Sequence, residues 1–157
     1  MKWSDLFCEK AIAKGINCRI VNRVNGWPET TIINGQRCFT KSITYYQQRG
    51  LYFQGVDPNK LQDTGDYVLL CGGVGDRLRD IFLIPWKDFF RALQEGTPIN
   101  TYKPPKKQYW QYKFYLKDDN GNWKMFLQPR QASPLDVTKW RYDVVQAIEY
   151  LGVLTYK

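Results

Sequence analysis

Read for its apolar positions, the chain is a succession of short segments, most with the two-residue period of strands. The clearest pattern lies in PETTIINGQRCFTKS, residues 28–42. Here the runs Thr30–Ile33 and Gln36–Thr40 flank Asn34-Gly35. Asn-Gly between apolar runs predicts a two-residue hairpin, because a type I′ turn needs positive φ at both central residues. Alternation places Arg37, Phe39 and Lys41 on one face of the second strand, and Gln36, Cys38 and Thr40 on the other. An acid, Glu29, precedes the first strand, and a lysine, Lys41, ends the second.

Upstream, residues 5–14 predict a helix. Ser4 is a candidate N-cap, Asp5 suits the positive end of the helix dipole, and Gly15 suits the position after the helix. Leu6, Ile12 and Ala13 mark one side, and Glu9 projects from that same side. An acid there stands either at the core boundary or aimed into a site. Cys18–Val24 predicts a strand and Asn25-Gly26 a turn.

Residues 42–56 (SITYYQQRGLYFQGV) fit either a short helix and a strand or a long hairpin arm. Asp57-Pro58-Asn59 turns the chain. DYVLLC (66–71) and IFLIPW (81–86) are apolar runs bounded by turn signals, as buried strands are. GGVGDRLRD (72–80) predicts a loop between them, and no Gly-Lys-Ser/Thr follows to make it a phosphate loop. Residues 87–95 predict a short helix closed by Gly96. The three prolines in 97–110 predict an irregular basic arm. Residues 109–117 alternate, DDNGN turns the chain, and 123–127 return as a second hairpin. Ser133-Pro134 predicts the start of a last helix, in which Val137, Trp140, Val144, Ala147, Ile148 and Leu151 keep helical spacing up to Gly152.

Composition narrows the chemistry. A chain of 157 residues fits one domain, and its 43% hydrophobic content argues against disorder. No apolar run approaches the roughly 18 residues of a membrane span. No apolar stretch follows Lys2 as in a signal peptide, so the expectation is a cytoplasmic protein. The four cysteines at 8, 18, 38 and 71 form no CxxC pair, so reduced core residues are expected rather than a zinc site. The absence of histidine removes Ser/His/Asp and Cys/His catalysis and nearly all catalytic zinc sites. Any hydrolysis must rest on carboxylates, lysine and a hard metal such as Mg²⁺.

Charge points to a polyanion. The net charge is +8 and the pI about 9.3. The acid-free segment 42–56 carries Tyr45, Tyr46, Arg49, Tyr52 and Phe53, suited to stacking on bases and contacting phosphate. The same aromatics also make good core residues of a strand. Residues 101–130 hold seven Lys or Arg against two Asp. Lysines on strand faces either contact phosphate or guard sheet edges. The candidate DNA-binding residues are therefore Arg37, Tyr45, Tyr46, Arg49, Lys103, Lys106, Lys107, Lys113 and Lys124.

The element order over residues 5–90 is helix, strand, hairpin, a variable piece, strand, strand, helix. Together with the hairpin acid and lysine and the segments Asp66–Cys71 and Ile81–Pro85, it resembles the PD-(D/E)xK restriction-endonuclease-like superfamily. The pattern is closest to small intron-associated and homing-type members, and it covers a little over half of the chain. The resemblance implies an α+β fold: a restriction-endonuclease-like mixed sheet flanked by helices over 1–96, with a basic arm, hairpin and C-terminal helix over 97–157 packed on the same domain. It implies a Mg²⁺-dependent endonuclease acting on double-stranded DNA, as a homo-oligomer that supplies one active site per strand. On that resemblance Glu9 is the helix acid, Pro28-Glu29 stands for the motif's Pro-Asp, and Lys41 is the motif lysine. Glu9 and Glu29 would hold the metal, and Lys41 would orient the attacking water or stabilise the anion. Phe39 stands where the family has Glu or Gln, and phenylalanine cannot ligate a metal. Two other readings remain beside it. One is a DNA-binding or specificity module of a nuclease or transposition assembly that lacks catalysis. The other is an interaction protein whose basic surface is incidental.

Overall fold

A computed structural model of the protein describes residues 2–21, 29–57, 66–96, 99–103, 106–128 and 133–154. The chain begins with helix α1 (Trp3–Ala13) and strands β1 (Cys18–Val21), β2 (Glu29–Ile33), β3 (Gln36–Tyr46) and β4 (Leu51–Val56). Strands β5 (Tyr67–Val74) and β6 (Arg77–Pro85) lead into helix α2 (Trp86–Gln94). Next come β7 (Ile99–Lys103), β8 (Lys106–Asp119), β9 (Asn122–Gln128) and the two-residue β10 (Leu135–Asp136). A 3-10 turn (Thr138–Trp140), β11 (Arg141–Tyr142) and helix α3 (Val144–Leu154) complete it. The fold is α+β, built on a curled mixed sheet.

Both Asn-Gly hairpins form as the sequence predicts. Asn34 and Gly35 have φ of 47° and 86°, and Asn120 and Gly121 have 52° and 89°. Paired positive φ is the signature of the type I′ turn. The ambiguous segment 42–56 is a hairpin arm: β3 runs on to Tyr46, turns at Gly50 and returns as β4. The turn predicted at Asn25-Gly26 lies outside the described residues.

Sheet order is β10-β9-β8-β4-β3-β5-β6-β11, with β2 joining β1 to β3 and β7 added on β8. The β3–β5 pair is parallel and the other described pairs are antiparallel. The long strand β3 serves two neighbourhoods: residues 38–43 pair with β5, and 44–46 with β4. The sheet curls around this strand. Its far ends, β10 and β11, are joined by the 3-10 turn Thr138–Trp140, and just before it the Val137 N–H donates to the Trp123 carbonyl at 2.9 Å.

The curl makes two apolar layers. Phe39, Ile43, Tyr52, Phe82, Phe114, Trp123 and Val137 fill the concave side, and Phe89 and Leu93 of α2 join them. On the convex side of β3, β5 and β6, Phe7, Cys8 and Ala11 of α1 and Ala147, Ile148 and Leu151 of α3 pack on Cys38, Leu69, Cys71 and Ile81. All four cysteines are buried thiols, as expected. Burial pushes the Cys38 thiol up to about 12. Among the described residues, no helix is long and apolar enough to cross a membrane.

Four sequence expectations are corrected. Ser4 is not the N-cap: Lys2 holds that position, and Ser4 is buried with its N–H on Ser42 Oγ at 3.0 Å. Residues 72–80 are not a loop, because β5 and β6 continue through them to a tight turn at Gly75. Residues 99–103 form a strand on the edge of β8 rather than an irregular arm. Finally, the helix expected from Ser133 begins only at Val144, since 135–142 are taken up by β10, the 3-10 turn and β11. Val137 keeps helical spacing with Ala147 but belongs to the concave core, whereas Ala147 belongs to the convex one.

Gly72 and Gly73 stay in β5 because aromatic rings press on them. A Cβ at Gly72 would lie 2.6 Å from the Tyr52 ring, and one at Gly73 would lie 2.3 Å from the Trp3 ring. Gly72→Ala is expected to cost about 1–3 kcal/mol through overpacking. The readout is a lower denaturant midpoint at unchanged slope. A midpoint equal to wild type would mean that Tyr52 is not held where the structure places it.

Candidate nucleic-acid interface

Alternation along β4, β8 and β9 sends one set of side chains inward and the next outward. Inward go Tyr52, Phe114, Leu116, Trp123 and Met125, all in the concave core. Outward go Leu51 and Phe53 of β4, Lys113, Tyr115 and Lys117 of β8, and Lys124 and Phe126 of β9. Tyr46, at the end of β3, is 49% exposed. The four aromatics of this outer face, Tyr46, Phe53, Tyr115 and Phe126, belong to neither core.

The registers set them in order. Phe53 pairs with Tyr115 and Tyr115 with Phe126, so three rings form one row across three strands. Tyr115 and Phe126 stack at 5.0 Å with an interplanar angle of 11°. Tyr46 meets Phe53 edge-on at 5.8 Å. Lys113 lies two residues to one side of the row, and Lys117 and Lys124 lie on the other, facing each other across the ladder. On its other side Lys124 faces Asp136 of β10. Arg49 is exposed in the turn beside Tyr46. Helices α1 and α3 cover the opposite part of the sheet, over β3, β5 and β6. The face therefore offers flat apolar rings and separate ammonium groups to solvent, an arrangement that binds bases and phosphates.

A buried carboxylate holds this half of the sheet to the rest. Asp80 of β6 is 1% exposed. It accepts from the Tyr52 hydroxyl of β4 at 2.5 Å, from Arg79 Nε at 2.7 Å and from Arg141 Nε of β11 at 2.9 Å. Arg141 also pairs with Asp143 at 2.8 Å. These donors supply what a buried charge requires. Beside them opens a cavity of about 440 Å³ lined by Arg79, Asp118, Trp123, Thr138 and Arg141. Burial, with the Asp80 carboxylate beside it, raises the Tyr52 hydroxyl well above its ordinary value.

The sequence-predicted residues scatter. Glu9 is exposed on α1, on the side away from the sheet, with Ile12 and Ala13; the buried side is Ser4, Phe7, Cys8 and Ala11. Helix α1 packs on the face of β3 that carries Cys38 and Ser42. Lys41 lies on the other face, with Phe39 and Ile43, and its Nζ donates to the Gly55 carbonyl of β4 at 2.8 Å. The sheet thus separates Glu9 from Lys41. Phe39, at the third ligand position of the motif, is 1% exposed in the concave core. Among the described residues, no group of three His, Cys, Asp or Glu side chains could hold a metal ion. Glu29 pairs through its backbone with Thr40, and its side chain lies outside the described residues.

Of the nine candidate DNA-binding residues, Tyr46, Lys113 and Lys124 come together on the outer face, and Arg49 is exposed in the turn next to Tyr46. Tyr45 does not join them: it points inward, edge-on to Tyr52 at 5.0 Å, with Arg79 over its ring. Arg37 is exposed at the opposite end of β3, about 30 Å from Tyr46 at the strand rise. The side chains of Lys103, Lys106 and Lys107 lie outside the described residues. Sequence reasoning passed over Tyr115, Lys117 and Phe126. The signal was present in YWQYKFYLK, where alternate positions read Lys113-Tyr115-Lys117 against Tyr112-Phe114-Leu116. Comparison with protein-family models, with curated proteins and with solved structures gives no match.

Tyr52→Phe is expected to destabilise the protein by about 1.5–3 kcal/mol at neutral pH, the worth of a hydrogen bond to a charged group. The folded value of Tyr52 lies above the unfolded one, so this contribution is complete below about pH 10 and shrinks as pH rises further. Urea melts of both forms from pH 7 to 11 should converge at the alkaline end. A gap that widens there would contradict the assignment.

Proposed function

We propose that the protein is a DNA-binding module and that its binding surface is the outer face of β4, β8 and β9 with the end of β3. The observation that carries this reading is the row Phe53-Tyr115-Phe126, outside both cores and flanked by Lys113, Lys117 and Lys124. A net charge of +8 supports it. A chain with an incidental basic surface has no reason to set three solvent-facing rings in register between lysines.

Four cations, Arg49, Lys113, Lys117 and Lys124, bound this surface. If each displaces a counterion from one phosphate, log K should fall with log salt at a slope of about −3 to −4. A binding titration across salt concentrations measures the slope. A flat line, or no binding at low salt, would exclude the reading.

Metal-dependent DNA cleavage is the second reading. It is favoured by the elements over residues 3–94, which keep the order of the restriction-endonuclease-like pattern. In that reading Glu29 would contribute to holding Mg²⁺, whose chemistry is polarisation of the phosphate and activation of water. Two copies would serve the two strands of a duplex. Plasmid nicking with Mg²⁺ or Mn²⁺ separates the readings. The module reading expects no nicking that depends on Lys41. Nicking abolished in Lys41→Ala but retained in Lys113→Ala would establish the enzyme, provided both variants melt like wild type.

A further inference from the structure

We infer that the outer face takes single-stranded nucleic acid rather than a duplex, with bases on the aromatic row and phosphates along the lysines. This rests on the DNA-binding reading and names its substrate.

The first argument is width. The face spans four strands, β3, β4, β8 and β9. Three interstrand spacings of about 4.8 Å make about 14 Å of backbone, before side chains are added. The major groove of a duplex is about 12 Å wide and admits a helix or a two-stranded ribbon. A four-stranded face cannot enter it.

Ring chemistry gives the second argument. Tyr46, Phe53, Tyr115 and Phe126 are flat, apolar and outside both cores. In a duplex the base faces are already stacked on one another, so these rings would meet only sugars and phosphates. A single strand can splay its bases, and every base has a face that stacks on an aromatic ring.

A repulsion in the ladder gives the third. Lys117 and Lys124 are directly paired on one face. Like charges in that position destabilise a sheet. Asp136 faces Lys124 alone, so Lys117 still faces a like charge. A phosphate lying between the two ammonium groups turns the repulsion into attraction. Lys113, on the far side of the rings, stands about 7 Å along β8 from Tyr115, as does Lys117 in the other direction. A backbone running along the row therefore meets cations on both flanks.

Fluorescence anisotropy with a labelled oligothymidine, an oligouridine of equal length and the corresponding dA·dT duplex tests the inference. The single strand should bind at least about tenfold tighter than the duplex at equal salt. Tyr46→Ala should weaken single-strand binding about tenfold. Tyr46 is 49% exposed and in neither core, so the variant folds. Lys117→Glu should weaken binding while keeping or raising the melting temperature, because it removes the repulsion with Lys124. Binding of oligouridine as tight as that of oligothymidine supports the same face, since stacking is shared. Duplex binding that equals or exceeds single-strand binding overturns the inference and leaves the DNA-binding module standing. Single-strand binding untouched by both variants also overturns it. Binding to none of the three removes both readings.

Discussion

A buried carboxylate governs this fold. Asp80 sits on β6 with almost no access to water, and a charge so placed must find donors. It finds Tyr52 across the concave side and Arg141 on the terminal strand β11, with its neighbour Arg79 completing the set. Those contacts join β4 to β6 and its neighbour β11, across β3 and β5 in the sheet order. Around the same point Tyr52, Phe82 and Trp123 meet, with Phe82 and Trp123 edge-on at 5.3 Å.

Curling leaves β4, β8 and β9 with a side that packs and a side that does not. On β3 the division falls between neighbours: Tyr45 enters the core and Tyr46 remains outside. It also separates Lys41 from the helix acid with which the sequence pattern would group it. What is left exposed together is a set of rings and lysines drawn from four strands. This surface is suited to stacking and phosphate contact. The paired lysines, Lys117 and Lys124, fit the same view, since a sheet selected for stability alone would not set them face to face.

Local signals were legible where the cause is local. The two Asn-Gly hairpins depend on the φ angles of two adjacent residues, and both folded as the sequence predicts. The glycines of β5 were not legible as strand residues. Their reason is the approach of Tyr52 and Trp3, distant in sequence. The last helix was overextended for a related cause. Apolar residues from Val137 to Leu151 keep one helical period, but Val137 serves the concave core and Leu151 the convex one. Periodicity records that a residue is buried, and does not say against which layer.

The sequence by itself determined the class of the protein: mixed helices and strands, a basic charge, no histidine chemistry, and aromatics interleaved with lysines. Local turns and alternation suffice for that, because they act over a few residues. Only the tertiary structure decided which aromatics and lysines share a surface. That depends on which side of a curled sheet each strand turns outward, and the side is set by contacts such as Tyr52 with Asp80, made between residues far apart along the chain.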